Sequence, residues 1–482
     1  SEVKLYSNAD YTISCAEDFD NSANSAMIAL PMSAGTLTLG GGEGTLTIDG
    51  SGISSLMYLI LSQSTLILQD NCTITNGNVT YTAIYVSAGT FTMTGGTITN
   101  IHSTKDASEG YGAGIHVSGS STVVTVSGGS VCNNYNDGTN QGASIYNSVG
   151  NVTVLGQSVA SGSQFTQNIV SGSVSNAILI SSWDELVSNI DLLEDEAVTT
   201  EFIITDNLVA TSKIETLVPV KITSSKAITI TRDENFKELF FDTYASLEVV
   251  GAENAIITFD GNNIVAENSI IKINANLSLT YCNLQNNSNG ASLGGGGAIY
   301  ISESTTSTFL KNCSIINNKA YSGGGIYYGN NGYNNYIENC TFENNSVTAT
   351  SGTGAGVMLY SGNLYINSIS MNSNYLADNE TSADLYLYNA KQPEVVLDDV
   401  VSIQSLWFYF SSIFPILKVG SNLSGDVKVV LKPSSSSYSV NQLITLDSET
   451  VLSNTQVGCF SEIKDASNNY YTLLASGVIN KN

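Results

Sequence analysis

The chain has 482 residues, with 16 Lys+Arg against 42 Asp+Glu, so its formal net charge is −26. Only 12% of residues are charged, so the acidity reflects scarce bases, and no basic cluster exists to grip nucleic acid or an anionic membrane. A length of 482 residues exceeds one ordinary core, while 42% hydrophobic residues and 25 tyrosines argue against disorder. No window of 18 apolar residues runs free of polar breaks, which predicts no transmembrane helix. The start at Ser1 fits removal of a secretory leader or trimming, and the Ser, Thr, Asn and Gly content fits a secreted, cell-surface location.

From the N-terminus, short segments such as Thr36–Leu39, Thr45–Ile48, Thr90–Ile98 and Val123–Val126 are rich in β-branched residues and bounded by Gly, Asn or Ser. That pattern predicts short strands. Gly112-Ala113-Gly114-Ile115 and Gly142-Ala143-Ser144-Ile145 form one repeating row, extended by Ala83-Ile84 and Ala177-Ile178. Thr73–Asn76, Thr97–Asn100, Val131–Asn134 and Phe165–Asn168 form its partner row. Residues 182–196 then read as a helix: Leu186, Ile190 and Leu193 share one face, and Ser182 precedes Glu185 in a capping pattern.

The repeat is plainest between 280 and 374. Cys282-Asn283-Leu284-Gln285-Asn286-Asn287 aligns with Cys313–Asn318 and with Cys340–Asn345, 31 and 27 residues further on. Between them fall Gly296-Gly297-Ala298-Ile299, Gly323-Gly324-Gly325-Ile326 and Gly354-Ala355-Gly356-Val357. Units of this length with two or three short strands coil into a solenoid, equivalent strands stacking about 4.8 Å apart. The expected fold is all-β: a right-handed parallel β-helix in two tandem units, 1–180 and 181–374. A capping helix over about 182–196 opens the second, and terminal irregular rungs with a β-rich cap occupy 375–482. Stacking predicts a reduced interior column of Cys282, Cys313 and Cys340, and an Asn ladder at the turns, where the left-handed conformation suits Asn.

No convergent catalytic, cofactor or metal set stands out, so none is expected. Asp398-Asp399 is the best carboxylate pair, but strand neighbours point to opposite faces. Arg232 lies among acids, as a polysaccharide-lyase base would. Asp49 and Asp260 sit in Asp-Gly turns, and His116 follows a strand start without a nucleophile pattern. Asp184, Glu185, Asp191, Glu194, Asp195 and Glu196 form a solvated acidic face with at most weak Ca²⁺ affinity. With two histidines and no CxxC, the cysteines are not read as metal ligands. Asn-x-Ser/Thr sequons at Asn71, Asn151, Asn276, Asn312, Asn339 and Asn422 matter only in a glycosylating host.

The Gly296–Ile299 and Phe342–Asn345 pair resembles the repeats of polymorphic outer-membrane proteins of chlamydia-type bacteria. The texture is also similar to that of adhesin-like surface proteins of anaerobic bacteria and methanogens, across roughly residues 70–375. The resemblance implies a right-handed β-helix displayed outside the cell, and it transfers no catalytic residue. A structural or adhesive role follows as the expectation, a fibre, sheath or surface-layer subunit or an adhesin stalk. Its partners would be further copies, neighbouring surface proteins or a glycan on a host surface, met through tyrosine-rich rungs (Tyr300, Tyr327, Tyr328, Tyr333, Tyr336). A polysaccharide lyase, a glycosidase or a glycan-binding module is the alternative.

Overall fold

The computed structural model describes residues 2–482 except 16–25, 52–55, 107–110, 138–141, 176, 192, 194–198, 292–294, 302–306, 330–333, 389–392, 412–413, 436–438 and 447–450. The fold is a right-handed parallel β-helix, the hand that parallel crossovers take in nearly all proteins. It divides into two compact units, Ser1–Leu179 and Ile180–Asn482.

In the first unit, Glu2–Leu5, Thr36–Leu39, Thr65–Leu68, Thr90–Met93, Val123–Val126 and Asn151–Val154 stack in parallel as one face. A second face runs from Tyr11–Ser14 to Ser130–Cys132, and a third from Ala26–Leu30 to Ile145–Asn147. Alternation decides what faces inward. Leu66, Phe91 and Val124 lie in register one above another, and all are buried. Each such side chain contributes roughly 1.5–3 kcal/mol through burial.

This unit ends by reversing direction. Gln157–Val159, Ser163–Phe165 and Ser173–Ser175 each pair antiparallel with the strand beneath. Leu155-Gly156 (φ 48° and 80°) and Ser171-Gly172 (φ 47° and 72°) carry two of the reversals, with positive φ at both turn residues, as tight hairpins demand. Phe165–Asn168 therefore does not supply a further parallel rung, although its spacing predicts one. Antiparallel closure covers an edge that would otherwise present unpaired backbone groups.

The second unit opens with helix α1, Trp183–Asp191. Ser182 Oγ accepts the Glu185 N–H (3.2 Å), and Glu185 reaches back to Ser181 N–H (2.8 Å). Of the expected 182–196 span, 192 and 194–196 lie outside the described residues. Trp183, Leu186 and Ile190 are buried, and Trp183 packs edge-on against Phe240 and Phe241 at 5.9 and 5.8 Å between centroids. Three stacked columns follow. One includes Val220–Thr223, Leu247–Val250, Leu277–Thr280 and Thr308–Lys311. The next includes Ile228–Arg232, Ile257–Asp260, Cys282–Gln285 and Ser314–Ile316. The last runs through Phe241–Thr243, Ile271–Ile273, Ile299–Ile301, Ile326–Tyr328, Val357–Leu359 and Leu385–Tyr388.

Parallel pairing continues past residue 374: Glu394–Phe410 pairs with Asn363–Asn372, and Ser424–Pro433 with Glu394–Phe410, each with one shift of register. Pro433 stands where the latter strand ends, since it offers no N–H to the ladder. The C-terminal segment adds helix α2, Asn454–Gly458, and an antiparallel pair, Tyr471–Leu473 with Ile479–Lys481. Leu443, Ile444, Leu452, Phe460 and Ile463 are buried there.

Candidate functional site

Arg232 ends the strand Ile228–Arg232 with its side chain turned into the solenoid, where it is 1% exposed. Nη2 donates to Asn287 Oδ1 (3.0 Å), and Nη1 donates to the carbonyls of Glu238 and Phe236. The guanidinium lies over the rings of Phe236 and Phe240, 5.3 and 4.8 Å from their centroids. Burial lowers its pKa to about 10, so it remains a cation at neutral pH. Its reach to Asn287 crosses the rung of Gly261, where an added Cβ would stand 2.6 Å from Asn287 Cα.

Asn287 starts a line. The turns before it and its equivalents carry Asn286, Asn317 and Asn344 at φ 56–58°, the left-handed corner that Asn tolerates. The following residues, Asn287, Asn318 and Asn345, turn inward, as does Asn374, and all four are buried. The Asn287 N–H donates to Asn318 Oδ1 (3.1 Å), Asn318 N–H to Asn345 Oδ1 (3.0 Å), and Asn345 N–H to Asn374 Oδ1 (3.0 Å). Side-chain amides close the strand ends: Asn318 Nδ2 donates to Leu284 O (2.9 Å) and Asn345 Nδ2 to Ile315 O (2.8 Å). At the far end Asn374 Nδ2 donates to the buried Asp384 carboxylate (2.7 Å), which also accepts the Ser405 N–H (3.0 Å). The backbone N–H donors thus point one way along the line, from a cation at its start to a carboxylate at its end, while the side-chain amides also tie back to the rung before. Burial pushes the Asp384 pKa up to about 6, against the lowering by Asn374 and Ser405.

Cys282, Cys313 and Cys340 form the expected interior column, with Ile257 in register below and Ile369 above. Their thiols donate to carbonyls two residues back, at 3.2–3.4 Å, and the Cys313 N–H donates to Cys340 Sγ at 3.4 Å. Burial pushes the Cys282 thiol up, and the hydrogen bond with Cys313, together with burial, does the same for Cys340, which makes both poor nucleophiles.

The carboxylate candidates are occupied by turns. Asp399 sits at φ 59° and accepts the Ser368 hydroxyl (2.8 Å), while Asp398 Oδ1 accepts the N–H groups of Asp399 and Asn422 (2.9 and 3.0 Å). Asp260 accepts Asn262 N–H, Gln285 Nε2 and Asn286 Nδ2, and Asp49 accepts the Ser51 N–H. Asp184 accepts the Thr211 hydroxyl (3.1 Å); Glu194, Asp195 and Glu196 lie outside the described residues. No group of three or more His, Cys, Asp or Glu converges to hold a metal among the described residues. Asn71, Asn312 and Asn339 occupy left-handed corners, φ 51–58°.

His116 points outward from its strand yet is 5% exposed, because Tyr85, Tyr111 and Tyr146 surround it at 5.0–5.3 Å between centroids. Its Nδ1 has no hydrogen-bond partner among the described residues, and burial lowers its pKa to about 4. It belongs to an outward, mostly aromatic column that the second unit also displays, at the residue following the Gly-Ala-Gly-Ile motif or its equivalent. There Tyr300 and Tyr327, then Met358, then Tyr386 and Trp407 succeed one another, beside Tyr360, Tyr388 and Tyr409. Tyr336 stacks on Tyr365 on another face (5.0 Å). Tyr328, expected at the surface, is fully buried and bonds Thr308 Oγ1 (3.1 Å), since strand parity sends Ile326 and Tyr328 inward together. Tyr333 lies outside the described residues.

These features define a solenoid whose polar interior is bonded from rung to rung. A family profile described as a right-handed beta helix region matches residues 220–400, wholly inside the second unit. No curated protein and no solved structure matches the chain.

Proposed function

We propose that the chain is a non-catalytic scaffold of the cell exterior, a structural or adhesive β-helix that acts through its repeated faces. The observation carrying this reading is where its polar side chains are spent. Arg232, the Asn line and Asp384 bond along the solenoid axis, and Asp260, Asp398 and Asp399 bond their own corners. A lyase base or a carboxylate pair has to face substrate instead. Bonds that join each rung to the next suit a molecule that transmits load or presents a rigid face. The partners would be further copies, neighbouring surface proteins or a surface glycan.

The test has two arms on the purified chain. Acidic and neutral polysaccharides are screened for chain cleavage, and electron microscopy with cell-surface binding assays looks for assembly or attachment. Filaments, sheets or saturable attachment without cleavage support the proposal. Cleavage that disappears in a folded Asp398→Asn variant overturns it.

One observation favours glycan binding as the adhesive mode. An open groove of the second unit is lined by Leu217, Pro219, Tyr244, Ser246 and Asn276, with Leu217 and Tyr244 exposed and no Lys, Arg, Asp or Glu in the lining. That chemistry suits a neutral sugar laid on an aromatic ring. Tyr244→Ala should abolish retention on a glycan array, and unchanged retention would remove the groove from consideration.

A further inference from the structure

The outward column Tyr360–Tyr388–Tyr409 brings three phenols together on successive rungs of the second unit. Tyr360 and Tyr388 are 4.9 Å apart between centroids and 10° from parallel; Tyr388 and Tyr409 are 5.0 Å apart and 6° from parallel. All three are half-buried, so ring edges reach solvent while neighbouring rings cover the faces. Tyr388 is in direct register with Tyr409, and the register Leu359 with Leu387 sets Tyr360 below Tyr388. Tyr386 lies 6.5 Å from Tyr409 and 6.2 Å from Trp407, so the column sits within a continuous aromatic cluster.

Phenols lose one electron and the hydroxyl proton to form phenoxyl radicals, whose spin lies partly on the ring carbons ortho to oxygen. Two radicals held on adjacent rungs meet at an effective concentration that free tyrosines never reach. We propose that Tyr360, Tyr388 and Tyr409 form an oxidative modification site, at which a peroxide and a one-electron peroxidase join neighbouring rungs through dityrosine. One bond forms between two ortho carbons, and the two displaced ring hydrogens restore the phenol hydroxyls. The peroxide takes up two electrons and two protons and leaves as two waters. A link at this site adds a covalent tie across rungs otherwise joined by hydrogen bonds.

Other tyrosines calibrate the idea. Tyr244 is exposed and has no ring partner among the described residues, and Tyr328 is buried and bonded to Thr308. Neither should link within the monomer. Tyr336 and Tyr365, 5.0 Å apart and 17° from parallel, offer a second pair on a different face, which serves as an internal control.

The experiment treats the dilute full chain with hydrogen peroxide and a haem peroxidase. It reads dityrosine fluorescence, monomer size and cross-linked peptides by mass spectrometry. The expected result is monomer carrying links between Tyr388 and Tyr360 or Tyr409. Tyr388→Phe should lose every one of those links and keep the Tyr336–Tyr365 link, which reports that the variant is folded. Tyr244→Phe should leave the pattern unchanged. Links that are only intermolecular, links mapping to Tyr244, or hydroxylated Tyr388 without coupling would each overturn the proposal.

Discussion

The two units meet the same difficulty, polar atoms inside a dry stack of strands, in different ways. In the first, a buried asparagine bonds the neighbouring rung and the line goes no further, the Asn134 N–H turning to Gly142 O instead of another asparagine. Asn134 accepts the Ile101 N–H and donates to Ile98 O, and His116 stands neutral among tyrosine rings. In the second, the asparagines join into one directed line, and a directed line leaves an acceptor wanting at one end and a donor wanting at the other. Arg232 donates to the waiting acceptor, Asn287 Oδ1, and Asp384 accepts from the waiting donor, Asn374 Nδ2. The contrast teaches that a single buried asparagine can be satisfied by the backbone of the neighbouring rung, whereas a ladder must be completed at its termini. Buried charges are the groups that complete it here, at the desolvation cost such charges carry.

The largest expected effect follows from cutting the line at its middle. Asn345→Ala removes the acceptor for the Asn318 N–H and the donor to Ile315 O, and both partners are left buried. Each unsatisfied group costs roughly 1–3 kcal/mol, so the second unit should lose about 4 kcal/mol. Asn134→Ala in the first unit likewise strands two buried groups, the Ile101 N–H and Ile98 O, and should cost about as much. Both tryptophans, Trp183 and Trp407, lie in the second unit, so tryptophan fluorescence during urea unfolding follows that unit. A loss below about 1 kcal/mol for Asn345→Ala would show that the line does not hold the second unit together.

Acid sharpens the contrast because the two units carry opposite signs. His116 has a reference pKa of 6.5 and falls to about 4 in the fold, so the unfolded chain takes its proton first. Its contribution to the first unit is whole above pH 6.5 and is lost as pH falls through about 4. Asp384 moves from 3.8 to about 6, so the fold holds the proton more tightly. Its contribution to the second unit is whole below pH 3.8 and is lost as pH rises through about 6. Each shift corresponds to a swing on the order of 3 kcal/mol. Other carboxylates titrate in the same window, so the measurement is the difference in pH slope between wild type and variant. His116→Phe should flatten the slope of the first unit, followed by hydrogen exchange, and Asp384→Asn that of the second. Slopes unchanged by either substitution would show that neither group is linked to stability.

Much of this architecture could be read from residues. The Cys-x-apolar-x-Asn-Asn hexads fixed both the rung and its corner, because Asn in a left-handed turn and a small interior residue recur at fixed spacing. The roles of the paired asparagines were not separable, since strand exit geometry decides that Asn317 turns the chain while Asn318 enters the core. Arg232 was opaque for another reason. Its partner is 55 residues away, on a rung that packs closely only because Gly261 leaves room for Asn287. The reversal of the first unit left a weak signal in Leu155-Gly156 and Ser171-Gly172, outweighed by the rung-like Phe165–Asn168. Tyr328 was readable in principle, since residues two apart on a strand share a face. Tyr328→Phe removes one buried hydrogen bond, and Thr308 Oγ1 keeps Asn335, so a loss of about 1 kcal/mol is expected in the same urea experiment. A loss several times larger would mean that the hydroxyl supports more than Thr308.

The smallest expected effect discriminates most between a scaffold and an enzyme. Asp399 holds a left-handed corner at φ 59°, one rung above Ser368 (φ 57°), which itself follows Asn339 and Asn312 at the same corner of lower rungs. The position favours Asn on conformational grounds, and an amide can still accept the Ser368 hydroxyl. Asp399→Asn should therefore be neutral or stabilising by about 0.5 kcal/mol, within the range of surface substitutions. It should also leave assembly and surface attachment unchanged. A carboxylate needed for acid–base work gives the reverse pattern, because an amide of the same shape keeps the fold and loses the proton transfer. Fold and stability retained while a polysaccharide-cleaving activity falls by two or more orders of magnitude would assign this corner to catalysis.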